Sequence, residues 1–287
     1  MKVLDHTQID QMLADGMTAL MLACKISHPM TARALLEAKA DPMLCDTRDG
    51  FSPIMHAALF GHIDCVTAVL RNAGQDLHRV ARQELHHNLL HAHNKDHFTA
   101  LHLAALHGQR RVVQLLLRER AQVDSANEKG ETPLHISSKN GHAQVVCALL
   151  ASGAHVNQVD KVGRTALHHC SFTPGGKDVA DALMEVRAEV NLVDQDKNTP
   201  LHLACMTGNH LTVDTLLKYK VRGCGVGMRP AFLSLFCPSS RLASPTHPSC
   251  CRRTSQCAIR RAKFPSWWRP RRGMTTSRRS CSPCANI

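Results

Sequence analysis

The stretch TPLHISSKNGH, Thr132–His142, has near-copies in TALHLAALHGQ from Thr99, TALHHCSFTPG from Thr165 and TPLHLACMTGN from Thr199. With Thr18 and Ser52 in the same slot, the six positions are separated by 34, 47, 33, 33 and 34 residues. A period near 33 is a repeat signature, and the single interval of 47 is one repeat plus about 14 inserted residues. Each unit has its own start and stop signals. Thr132 is a helix N-cap, Pro133 sits at the first helical position where no N–H is needed, and Gly141 ends the short helix by accepting a left-handed backbone. A second helix follows in AQVVCALLAS, whose Val145, Val146, Leu149 and Leu150 make one buried stripe. Gly153 stops it, and AHVNQVDKVG reads as a turn that reaches out and returns to the next Thr. A helix pair this short cannot cover its own apolar face, so it must stack on its neighbours.

The phrase and its flanks, including Gly130, Thr132, Pro133, Leu134, His135, Gly141, His142, Leu149, Leu150, Gly153, Ala154, Val156 and Asn157, resemble the ankyrin-repeat family. The resemblance covers residues 14–220, as six units starting near Ala14, Arg48, Lys95, Glu128, Lys161 and Gln195. It implies an all-α solenoid of helix-turn-helix units with projecting β-turn or hairpin fingers, preceded by a cap segment at 1–13. The departures are Met21 and Met55 at the His slot, Ser27 where helix-ending Gly is usual, and an extra residue with Pro174 in the fifth unit.

Composition agrees with a helical core. Aromatic residues are only 3% of the 287, and strands favour aromatic and β-branched side chains. No apolar run approaches 18 residues, so no membrane helix is expected, and the N-terminus lacks a secretory h-region. The cysteines show no disulfide-framework spacing before residue 220, which suits a reduced, cytoplasmic setting, with the nucleus also open. The net charge of +12 is uneven. Residues 221–287 hold 13 of the 35 Lys and Arg and no acid, leaving 22 basic against 23 acidic residues in 1–220.

That basic tail is expected to be disordered, because it has no apolar pattern to bury. Three readings of it stand: nucleic-acid binding through CRRTSQCAIRRAKFPSWWRPRRG, a zinc site from HPSC at 247–250 with CSPC at 281–284, or sequence from outside the repeat's reading frame. The last agrees with VRGCGVGMRP arriving where the next turn is due.

Recurrent His102, His135, His168 and His202 are best read as buried imidazoles bonded within their own turn or to the adjacent one. The insertion near 78–94 is His-rich. On a helix His87 and His91 would face one way, and His93 could add a third donor for zinc or copper. The plainer reading is a solvated finger or extended loop between units two and three. Phosphate-loop, nucleophile-elbow and zinc-protease motifs are absent from the sequence. Cys170, beside His168 and His169, takes the small-residue slot of Ala105 and Ser138 and reads as a packed thiol. Neither an enzyme nor a cofactor is expected.

The family resemblance implies protein–protein binding on a concave face, by turn tips and exposed first-helix positions. Transferred slot by slot, these are Lys95, Asp96, Phe98, Leu106 and His107 in the third unit and Glu128, Lys129, Glu131, Lys139 and Asn140 in the fourth. Lys161, Arg164, Phe172, Thr173, Gln195, Asp196, Asn198, Met206 and Thr207 complete the set. The alternatives are the regulatory ankyrin region of a longer enzyme of kinase, acyltransferase or ligase type, and nucleic-acid binding by the tail.

Overall fold

The computed structural model describes residues 9–75, 77–173 and 176–223; the tail beyond residue 223, with the segments on which its nucleic-acid and zinc readings rest, lies outside this range, as do residues 1–8. Among the described residues the chain forms thirteen helices and no strand. They come as pairs: α1 (Ala19–Lys25) with α2 (Pro29–Glu37), then α3 (Pro53–Phe60) with α4 (Ile63–Asn72). After an unpaired α5 (Arg79–His91) come α6 (Ala100–Leu106) with α7 (Arg110–Arg118) and α8 (Pro133–Lys139) with α9 (Ala143–Ala151). The last pairs are α10 (Ala166–Ser171) with α11 (Gly176–Glu185), and α12 (Pro200–Thr207) with α13 (His210–Gly223). Helix α13 runs three residues past the boundary expected at 220.

The first helix of each pair packs on the first helix of the next, so α1, α3, α6, α8, α10 and α12 form one row; the second helices form the other. One apolar cluster joins both rows, from Leu20 through Leu101, Leu134 and Leu167 to Leu216. Stacking is what stabilises helices this short, since segments under about 12 residues are marginal alone. Their ends are set by sequence. Pro53, Pro133 and Pro200 open helices, while Gly61 and Gly208 close them at φ 79° and 70°. Ser27, in the equivalent slot of the first repeat, takes φ 65° without glycine's freedom, which costs on the order of 1 kcal/mol.

The fingers are turns closed by a side chain. Asp46, Asn94, Asn127, Asp160 and Asp194 each turn an Oδ1 onto backbone N–H groups of their own finger, as Asn127 does on Lys129 and Glu131, both at 2.9 Å. Neighbouring fingers are joined by single backbone–backbone bonds, such as Lys161 N–H to the Lys129 carbonyl at 3.0 Å. One bond per neighbour falls short of a ladder, so the expected hairpins appear without strands. A Cβ on Gly130 would lie 2.9 Å from Lys161 N, so this close approach depends on glycine.

The recurrent histidines tie repeat to repeat. The Thr132 N–H (3.1 Å) and hydroxyl (2.9 Å) both reach His135 Nδ1, and His135 Nε2 donates at 2.9 Å to the Gln158 carbonyl, in the connection that leads to the next repeat. His102 bonds Thr99 and the Glu131 carbonyl in the same way, and His168 bonds Thr165 and the Asn198 carbonyl. Both expected partners, own turn and adjacent turn, are held at once. In the first two repeats the slot is filled by fully buried Met21 and Met55. In the second repeat Ser52 Oγ is buried and unpartnered, whereas Thr18 Oγ1 in the first accepts from the Met21 N–H at 3.4 Å.

The insertion is a helix, not the expected extended loop. RVARQELHHNLLH has no Pro or Gly, and Leu89 and Leu90 bury themselves against the stack while His86 meets Glu119 at 3.4 Å.

His135→Ala should lower the unfolding free energy by roughly 2 kcal/mol, since it leaves the Thr132 N–H buried without a partner and removes the bond to the half-buried Gln158 carbonyl. His202→Ala, at an exposed site, should cost under about 1 kcal/mol; urea denaturation compares the two.

Candidate functional site

The surface along the first-helix row is bounded by the finger tips on one side and the C-terminal ends of the helices on the other. Among the expected partner-binding residues, Asp96, His107, Glu128, Lys129, Lys139, Asn140, Lys161, Gln195, Asp196 and Thr207 are exposed. Phe172 is 40% and Met206 64% exposed, large apolar side chains on the C-terminal ends of adjacent first-row helices. The Arg164 guanidinium lies over the Phe172 ring at 5.2 Å, linking a finger to a helix end and holding the aromatic in place.

Other expected contacts are used by the stack. Glu131 is buried at 7% exposure, because Asn127 Nδ2 donates to its carboxylate at 3.1 Å and Lys139 Nζ approaches at 3.4 Å. Phe98 and Leu106 are half-buried, and Phe98 packs against the core and edge-on to His102. Lys95 Nζ donates to the Thr47 and Arg48 carbonyls, both at 2.7 Å, and Thr173 Oγ1 donates to the Lys139 carbonyl at 2.6 Å. Thr207 likewise donates to the Ser171 carbonyl at 3.0 Å. Asn198 supplies the backbone of its finger and is half-buried.

The ionisable groups beneath this surface are structural. Burial holds His102 and His135 down to about 4, and lowers His168 as well. Each is therefore neutral at pH 7, with Nε2–H as the donor its carbonyl partner requires. A second imidazole pattern was not anticipated: His56 Nε2 meets Asp46 at 3.1 Å and His169 Nε2 meets Asp160 at 2.8 Å. Burial pushes the Asp160 carboxyl up, but the Arg164 N–H, the His169 imidazole and the Val162 N–H outweigh it and hold the carboxyl below its ordinary range. His169 is lowered by burial against the pull of Asp160, so it is a neutral donor to a carboxylate. The sequence carried only part of the signal: a His stands four residues after the Thr/Ser slot where the finger residue is Asp46 or Asp160, and an aliphatic where it is Asn94 or Asn127, but Asp194 is followed there by Leu203 and pairs with Arg164 instead.

Glu131, Asp160 and His169 are the three-donor group among the described residues whose atoms could converge on a metal. Their atoms already have partners: Asn127 and Lys139 on Glu131, two backbone N–H groups and His169 on Asp160. Of the histidines weighed as metal ligands, His87 and His91 are brought together, whereas His93 stacks on His97 beyond the helix end. Cys170 is fully buried and burial pushes its thiol up to about 12, while His168 and His169 are engaged elsewhere, so no thiol–base pair forms.

A family model described as ankyrin repeats (3 copies) matches residues 1–81, 77–160, 101–194 and 153–227. NF-kappa-B inhibitor alpha from Sus scrofa is 37% identical over 108 residues, 38% of this chain and 32% of that protein. Human transient receptor potential cation channel subfamily A member 1 is 33% identical over 239 residues, 81% of this chain and 20% of the channel. The chain thus spans about a third or less of these curated relatives. The crystal structure of the ankyrin repeat domain of Bcl-3, a member of the IkappaB protein family, aligns with TM-score 0.61 and 30% identity, covering 73% of this chain and 86% of that one.

Acid should weaken the fold in a definite order. The lowered histidines bind protons in the unfolded chain before the folded one, so their contribution is full above about pH 6.5 and is lost as pH falls toward about 4. For His102 and His135 this is roughly 3 kcal/mol each. The carboxyls of Asp46, Asp160, Asp194 and Glu131, lowered too, lose theirs further down. The thermal midpoint should fall steadily from pH 7 to pH 4, and His135→Gln should flatten that slope.

Proposed function

Since the chain belongs to the ankyrin-repeat family, we propose that this region is a non-catalytic binding module that captures a protein partner along the first-helix row. The observation that carries the reading is the pair of exposed apolar side chains, Phe172 and Met206, on adjacent repeats beside a polar margin of finger tips. Nearly every ionisable group beneath is committed to holding the stack, so the surface offers shape and contact area and no reactive group. Large apolar side chains surrounded by polar ones are the usual anchors of an interface. The mixed charge of the tips, with Asp96 and Glu128 beside Lys129 and Lys161, fits a partner surface of mixed sign. Binding of a protein, as the name of NF-kappa-B inhibitor alpha states for that relative, supports the reading.

The second reading is a repeat region serving a longer protein. It is favoured by the match to the human channel, which takes in 81% of this chain and only 20% of the channel. No helix among the described residues is long and apolar enough to cross a membrane. We place the module in the cytoplasm or nucleus, and its domain bounds at 14–220.

Phe172→Ala with Met206→Ala should weaken capture of partners from cell extract at least ten-fold, about 1.4 kcal/mol, with the urea midpoint nearly unchanged. Quantitative recovery equal to the parent chain would count against this face.

A further inference from the structure

The insertion helix α5 carries a feature that neither the stack nor the proposed partner face uses. His87 and His91 stand one turn apart, their rings stacked with centroids 4.0 Å apart and planes at 29°. His87 is exposed and His91 half-buried, so packing does not account for the pair. His91 Nδ1 lies 2.7 Å from the His87 carbonyl oxygen. A carbonyl only accepts, so Nδ1 carries the proton and Nε2 keeps its lone pair. This backbone bond does what an outer-shell partner does for a metal-bound imidazole: it fixes the tautomer and the ring direction.

The surroundings leave the pair available. His86, the neighbouring imidazole, is engaged by Glu119, and His93 is stacked on His97. Arg82, the nearby cation on the helix, turns away to donate to the Gly74 and Gln75 carbonyls. Glu84, one turn before His87, lines the same shallow depression as His87.

We propose that His87 and His91 chelate a divalent cation of the zinc or copper class through their Nε2 atoms, with water completing the shell. Imidazole nitrogen is a good donor for both metals. Two zinc–nitrogen bonds of about 2.0–2.1 Å at a tetrahedral angle place the nitrogens roughly 3.4 Å apart, which exposed His87 reaches by turning out of the stack while His91 keeps its backbone bond. Binding spans one helical turn, so it holds α5 in its helical state.

The test is hydrogen exchange of the full chain, read peptide by peptide, with and without Zn2+. This separates α5 from any zinc taken by cysteines elsewhere. At about 100 µM Zn2+ the α5 amides should exchange about ten-fold more slowly, as for a cation held with a Kd near 10 µM, while α8 amides stay unchanged. His87→Gln and His91→Gln should each abolish the slowing; His86→Gln and His93→Gln should keep it. In the parent chain, zinc should shift the ring signals of His87 and His91 together and leave those of His86 and His93 in place. No slowing in α5, slowing that survives both substitutions, or ring shifts confined to other histidines would overturn the proposal.

Discussion

One imidazole per repeat, held at both nitrogens, is the constraint from which the middle of this structure follows. His135 accepts from Thr132 on one side and donates on the other to Gln158, in the connection to the next repeat, and it can do both only as the neutral Nε2–H form. Protonation would turn Nδ1 from acceptor to donor and set it against the Thr132 N–H. A single side chain thus caps its own helix, orients the following finger and fixes the register between units. Where Met21 and Met55 replace it, the space is filled but the bridge is missing, and Ser52 Oγ has no partner. The first two repeats depend more on apolar packing, with the Asp46–His56 bond supplying a polar tie in the second.

Binding capacity is a consequence of this economy. The buried carboxylates and imidazoles serve the fingers, and the exposed helix ends are fastened by Thr173 and Thr207 to carbonyls of the preceding repeat. A rigid row of helix ends results, and Phe172 and Met206 project from it. Holding Phe172 beneath Arg164 limits the side-chain freedom that a partner would otherwise have to remove.

The fold was legible in the sequence because its signals are periodic. Thr132 with Pro133 and His135 encodes a cap, a start and a bridge within four residues, and it recurs at almost even spacing. The finger residues Asp46, Asn94, Asn127, Asp160 and Asp194 recur just as regularly, yet their role depends on backbone N–H groups that converge only once the turn forms. Exposure was harder to read. Glu131 sits in a tip-like slot but is drawn inward by Asn127 and Lys139, and Phe98 is claimed by the core. The insertion misled because polar, His-rich composition suggests a loop, whereas Leu85 and Leu89 at i, i+4, with no helix breaker between, suffice for a helix packed on a neighbour.

Long-range 1H–15N correlation of the histidine rings, followed from pH 7.5 down to the onset of unfolding, tests the bridging role most directly. Each ring's nitrogen shifts report its tautomer and its titration. His102, His135 and His168 should show the neutral Nε2–H form, with His102 and His135 taking up no proton until pH nears 4. Nδ1–H forms, or titration of these rings near pH 6.5 in a chain that stays folded, would contradict the account.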